Sequence, residues 1–194
     1  MIDLSGTTVV ATLAHWMLSY HVHREGKGYY EQRIARGKIA PKVYDMGIKY
    51  TPDMSRNKLL EKASHASTLV IPMLFGTALF REYAGYYAVI AMVRVVFTAV
   101  TILPKHKNCN DSEFGPLNLL TGHCYDKIFS GHFAVGVLLS LMLYDKGIVR
   151  NAPLLILLNF MNAWVILSLR FHYSIDLVVA ALVATVVYQA KWKF

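Results

Sequence analysis

The stretch LLILLNFMNAWVILSL, Leu154–Leu169, decides how the rest of the chain is read. Its polar side chains, Asn159, Asn162 and Ser168, are too few to form the polar face that a surface helix shows at period 3.6. A helix with apolar residues all round is surrounded by a protein core or by lipid. The same character recurs at Val9–Tyr20, Leu69–Phe80, Tyr83–Leu103 and Leu177–Tyr188, and as FAVGVLLSLMLY after Gly131. A spanning helix takes about 20 residues at roughly 1.5 Å rise each. The third and fifth runs reach that length directly, and the others do so with flanking Ser, Thr, Ala and Tyr. The expected architecture is therefore all-α: one multi-pass membrane helix bundle of about six transmembrane helices.

Composition agrees. Of 194 residues, 55% are hydrophobic and only 16% charged, and the mean hydropathy is +0.38. Soluble domains lie nearer ~45–50% apolar and ~25% charged. These values argue against disorder, collagen, coiled coil and a small soluble enzyme. The net charge of +8 would suit a nucleic-acid protein, but rarely with such hydrophobicity, so no nucleic-acid partner is expected. No basic region precedes the first apolar run, so no cleavable signal is expected. Within 1–194, read as one domain, His21–Lys62 is the long polar interval, with ten Lys/Arg against five Asp/Glu. It reads first as a solvated connecting loop with a short amphipathic piece around Tyr29–Ile39; the alternative is a headgroup-level segment that attracts anionic lipid.

Polar residues that interrupt apolar runs carry the chemistry. Arg94 lies mid-run, where an arginine at bilayer depth costs about 2.5–3.5 kcal/mol and faces the bundle interior or a wet cavity. Asp126, Ser130, Gly131 and His132 precede the fourth run. Arg170, His172, Tyr173 and Asp176 lie between the fifth and sixth. With a helix starting at Ser174, the four-residue interval lets Asp176 reach one nitrogen of His172. That pairing sets the tautomer and leaves the other nitrogen to act as base or nucleophile. Two histidines, a carboxylate and cations suit phosphoryl transfer: one histidine attacks phosphorus and the other protonates the departing oxygen. His123 and Cys124 lie near His132, yet no structural-zinc spacing is present.

These residues carry a resemblance. Cys124-Tyr125-Asp126, three residues, then Ser130-Gly131-His132-Phe133 is similar to a motif of the sphingomyelin synthase family, within the lipid phosphate phosphatase (PAP2-like) superfamily. His172-Tyr173-Ser174-Ile175-Asp176-Leu177 resembles a second motif. Arg94 with Thr101, Leu103 and Pro104 resembles a third, and Pro41–Asp45 is weakly similar to a fourth. The resemblance implies six spans and a catalytic triad of His132, His172 and Asp176. It makes His172 the nucleophile that becomes a phosphohistidine, Asp176 its orienting group and His132 the acid and base. Arg94, Asp126, Ser130, Gly131, Arg170 and Tyr173 are the expected substrate-binding residues. The implied reaction moves phosphocholine or phosphoethanolamine from a glycerophospholipid to ceramide and releases diacylglycerol, with no metal or other cofactor.

Tyr125 stands where the family has glycine, and Phe133 where it has threonine, which leaves the headgroup open. The lysine and arginine of the phosphatase signature are replaced by Tyr87 and Ile166, favouring the synthase branch. The alternatives are a lipid phosphate phosphatase, with water as acceptor, and a catalytically silent membrane scaffold. Fourteen of the 20 Lys/Arg fall on the expected site face, which by the positive-inside rule would be cytosolic. The resemblance implies the opposite, a lumenal or extracellular site on a Golgi, endoplasmic reticulum or plasma membrane protein. A disulfide between Cys109 and Cys124 would need that oxidising side.

Overall fold

The computed structural model describes residues 4–37, 43–104, 125 and 127–191. Among these, seven helices and no strand are present: α1 (Leu4–Ala35), α2 (Met46–Tyr50), α3 (Lys58–Met73), α4 (Thr77–Val100), α5 (Gly131–Asp145), α6 (Ala152–Ser168) and α7 (Ser174–Gln189). The all-helical expectation agrees with this order. Asp126, Cys109, Cys124 and, of Pro41–Asp45, Pro41 and Lys42 lie outside the described residues.

Two expectations are corrected. The basic loop His21–Lys62 is largely helical: α1 continues to Ala35, and α2 and the start of α3 fall within the same interval. HREGKGYYEQR contains no proline to stop a helix, and Lys27 sits 3.9 Å from Glu31 one turn on. The second apolar run, Leu69–Phe80, is not one segment. Pro72 and Gly76, with φ +91°, separate the end of α3 from the start of α4.

The six-span expectation also changes. Among the described residues, no helix is long and apolar enough to cross a membrane. Caps explain much of this. Ser130 Oγ accepts from Phe133 N, and Asn151 Oδ1 accepts from Leu154 N, fixing the starts of α5 and α6. The resulting helices have 15, 17 and 16 residues for α5, α6 and α7. At 1.5 Å per residue they extend roughly 22–26 Å, short of a hydrocarbon core of about 30 Å. α4 is longer, with 24 residues, but carries Arg81, Glu82 and Arg94.

The core forms where α4, α5 and α7 meet, around Tyr83, Tyr86, Ile90, Leu138, Met142, Ala180 and Ala184. Ala180 and Ala184 are fully buried. Their missing bulk lets α7 lie close to its neighbours, the use expected of small residues four apart. α1 packs along α4. Gly26 makes one approach of α1 feasible: a Cβ there would come within 2.7 Å of the Tyr125 ring. By contrast α6 turns Ile156, Leu157, Leu158, Phe160 and Met161 outward, Phe160 being 70% exposed.

Candidate active site

The site assembles at the starts of α5 and α7, against the chain following α4. His132 is the second residue of α5, behind the capping Ser130. His172 lies in the turn between α6 and α7, and Asp176 is in the first turn of α7. All four side chains are buried, Ser130 and Asp176 completely. Backbone links join the two segments, since Ser130 N donates to Asp176 O at 3.4 Å.

The tautomer of His172 follows from its neighbours. Nδ1 lies 2.6 Å from the backbone oxygen of Lys127, and a carbonyl only accepts. Nδ1 therefore carries the proton, and Nε2 carries the lone pair. Asp176 Oδ2 lies 3.5 Å from the same Nδ1. This oxygen also accepts from Tyr173 N at 2.8 Å. The carboxylate thus holds the turn and adds a field, while the carbonyl makes the shorter contact. Asp176 Oδ1 is buried with no hydrogen-bond partner among the described residues.

Burial pushes the His172 pKa below its ordinary value, and the Asp176 carboxylate beside it opposes that shift without cancelling it. The positive charges of Lys127 and Arg94 add to the lowering. The nucleophile expected at His172 would be the neutral imidazole, which sets the sign of the pH dependence. The acidic limb of kcat/KM due to His172 is expected below the ordinary histidine range, with activity level from pH 7 down through about 6.5. A pH profile at saturating protein stability checks this, and an acidic limb centred above 6.5 would contradict it.

The carbonyl contact also sets the size of a mutational effect. Where a carboxylate alone fixes a histidine tautomer, its amide costs about 10⁴-fold. Here Lys127 O keeps Nδ1 protonated, so Asp176→Asn is expected to cost only about 10–10²-fold in kcat. Steady-state kinetics of the variant decide; a loss as large as that of removing His172 would place the tautomer control on Asp176.

Arg94, from the middle of α4, is buried and donates through Nε to Phe129 O at 2.9 Å. That bond brings its guanidinium to the residue preceding Ser130. Thr98, one turn on, donates to Ile128 O at 3.0 Å. The Lys127 side chain is buried too, with Nζ donating to Phe171 O at 2.7 Å and Arg170 O at 3.3 Å. Lys127 thus grips the His172 turn by both its carbonyl and its ammonium.

Two expected ligands are engaged in bracing. Arg170, at φ +60°, sends Nη1 to Thr51 Oγ1 at 2.8 Å and Leu167 O at 2.7 Å, and Nη2 to Thr51 O at 2.8 Å. Tyr173 donates its hydroxyl to Pro104 O at 3.2 Å, tying the α7 entrance to the end of the Arg94 segment. Gly131 opens α5 as its first residue, where unpaired helix N–H groups favour anions.

Sequence reading missed several groups. Asp45 caps α2 and receives Ser174 N and Ser174 Oγ, each at 2.8 Å. Gly47 N donates to the same hydroxyl, and a Cβ on Gly47 would collide with it. The weakly similar segment ending at Asp45 is thus a clamp on the start of α7. His65, on α3, places Nδ1 2.7 Å from His132 Nε2. Its ring stacks on Phe171 with centroids 5.1 Å apart. Glu61 stands four residues before His65, but nothing in the local spacing links His65 to His132, so only the fold brings it in.

Among the described residues, no group of three or more His, Cys, Asp and Glu side chains is arranged to hold a metal ion. The arrangement does provide a buried nucleophilic nitrogen, a second histidine, and cationic groups around them, which is the equipment for phosphoryl transfer. No curated protein matches the chain. Residues 123–193, which include His132, His172 and Asp176, match the family described as PAP2 superfamily C-terminal; the match supports membership of the PAP2-like superfamily and suggests phosphatase or phosphotransferase chemistry on lipid phosphates.

Proposed function

We propose that the protein is a phospholipid:ceramide headgroup transferase of the sphingomyelin synthase type. The observation that carries this reading is His172, buried with Nδ1–H directed at Lys127 O and Asp176, so that Nε2 is the nucleophilic atom. Nε2 attacks the phosphorus of the glycerophospholipid. The P–O bond to diacylglycerol breaks, and the leaving oxygen takes a proton from His132. The phospho-headgroup then resides on His172. In the second half, the ceramide hydroxyl gives its proton to His132 and attacks phosphorus, and the P–N bond breaks to restore neutral His172. Arg94 and the first N–H groups of α5 supply positive potential for the non-bridging oxygens.

Lipid substrates fit the outward apolar surface of α6, where Leu157, Leu158, Phe160 and Met161 are exposed together. Surfaces of this kind mark contact with membranes or partners. On this reading the bundle associates with a bilayer of the Golgi, endoplasmic reticulum or plasma membrane, with its site on the lumenal or extracellular side. Labelling Cys109 and Cys124 in sealed membranes tests the side; reaction only from the cytosolic face contradicts it.

The test of activity is purified protein in detergent with labelled ceramide and either phosphatidylcholine or phosphatidylethanolamine. A phosphosphingolipid product supports the transferase, and the competing donors name the headgroup. Phosphate release from phosphatidic acid with no ceramide product would replace this reading with a phosphatase. Folded protein that makes neither product would be a scaffold.

A further inference from the structure

We propose that His65 and His132 form one acid–base device: they share a proton across the 2.7 Å contact, and His65 carries the excess charge that His132 alone would have to hold. The inference rests on the transferase reading above for its chemistry, but on the contact between the rings for its existence.

A hydrogen bond between two imidazole nitrogens needs one bridging proton, so one ring donates while the other accepts. His132 Nε2 is already engaged with His65 Nδ1, leaving Nδ1 of His132 as the nitrogen for a substrate oxygen. When a leaving alkoxide removes the Nδ1 proton, His132 would become an anion unless Nε2 gains a proton in the same event. His65 is placed to supply it. The pair starts with one excess proton, His65 being protonated on both nitrogens and His132 on Nδ1. The departing oxygen takes the His132 Nδ1 proton while the bridging proton moves from His65 Nδ1 to His132 Nε2. Both rings are then neutral. The acceptor hydroxyl reverses the sequence: its proton goes to His132 Nδ1, the bridging proton returns to His65, and the excess proton is restored.

Location fits this division of labour. His132 is buried, whereas His65 is half-buried and so better able to hold a charge. Burial lowers the His65 pKa, and the carboxylate of Glu61, one turn earlier on α3, opposes that. The groups acting on His132 from other elements are His65, His172 in the α6–α7 turn and Arg94 on α4, all of which disfavour a second proton there. The stack of His65 on Phe171 keeps the ring in register with the turn that holds His172.

The experiment compares the full chain with His65→Asn and His65→Glu. Asparagine can hydrogen-bond to His132 but cannot carry the excess proton; glutamate can carry one. The shared-proton device predicts a loss in kcat on the order of 10²-fold for His65→Asn, within the range of acid–base contributions. KM is unchanged, the alkaline limb of the profile moves, and His65→Glu recovers part of the rate. Near-normal kcat for His65→Asn would reduce His65 to a support and overturn the proposal. A second readout needs no turnover. In ¹⁵N-histidine spectra of the full chain in detergent, His65 and His132 are expected to titrate together in coupled steps, a coupling lost in His65→Asn. Two independent single-step titrations would overturn the proposal even in an active enzyme. Coupled titration in a protein without lipid-phosphate activity would uphold the pair and reject the transferase reading.

Discussion

His172→Gln is expected to abolish headgroup transfer, with kcat falling by on the order of 10⁴-fold or more, the scale seen when a nucleophile is removed. Glutamine is close in size and can keep a donor toward Lys127 O, so the turn should survive. What disappears is the lone pair on Nε2. The prediction depends on one deduction, that Nδ1 is the protonated nitrogen because its 2.6 Å neighbour is a carbonyl. Turnover of labelled ceramide by purified variant and wild type measures the effect, with helical content compared by circular dichroism. A variant retaining a tenth of the activity would sink the phosphohistidine route.

His132→Ala should be nearly as damaging, but selectively. Loss of a general acid typically costs about 10²–10⁴-fold, and the cost depends on how much the leaving oxygen needs a proton. Diacylglycerol departs as an alkoxide, a poor leaving group unless protonated. An aryl ester of the same phospho-headgroup departs as a stabilised phenolate. The variant should therefore lose activity severely on phospholipid donors and far less on the aryl donor. Measuring the single-turnover rate of donor cleavage without ceramide, for both donors in both proteins, tests this, because the second half-reaction needs His132 whichever donor was used. Equal losses would mean that His132 acts in binding or folding and not as the proton donor.

The parts of the site legible from sequence were the local ones. Ser130, Gly131 and His132 are contiguous, and capping makes Ser130 the start of a helix whatever follows. His172 and Asp176 are four apart at a helix entrance, so their proximity is a property of the helix itself, and α7 does begin at Ser174. The long-range pairs were not legible. His65 meets His132 across 67 residues, and Asp45 meets Ser174 across 129. Arg170 is a further long-range case: the resemblance counts it among the substrate-binding residues, and the fold adds what no local spacing shows, that Nη1 and Nη2 donate to Thr51.

The fold shows the same division. Apolar runs located α5, α6 and α7 to within a few residues, because burial selects the residues along each run. Run length did not translate into span length, because caps at Ser130 and Asn151 and the break at Leu74–Gly76 set the ends. The polarity of His21–Arg33 suggested a loop, but charged and tyrosine side chains are compatible with a helix that buries one face, as Val22 and Gly26 do against Tyr125.

Trapping the covalent intermediate tests the chemistry most directly. Wild-type protein is incubated with a phospholipid donor labelled in its phosphate, without ceramide, then quenched in base and digested. The expected result is an acid-labile, base-stable label on the peptide containing His172, absent from His172→Gln and discharged when ceramide is added. Turnover without any such label, or a label on a peptide lacking His172, would contradict the nucleophile assigned to this site.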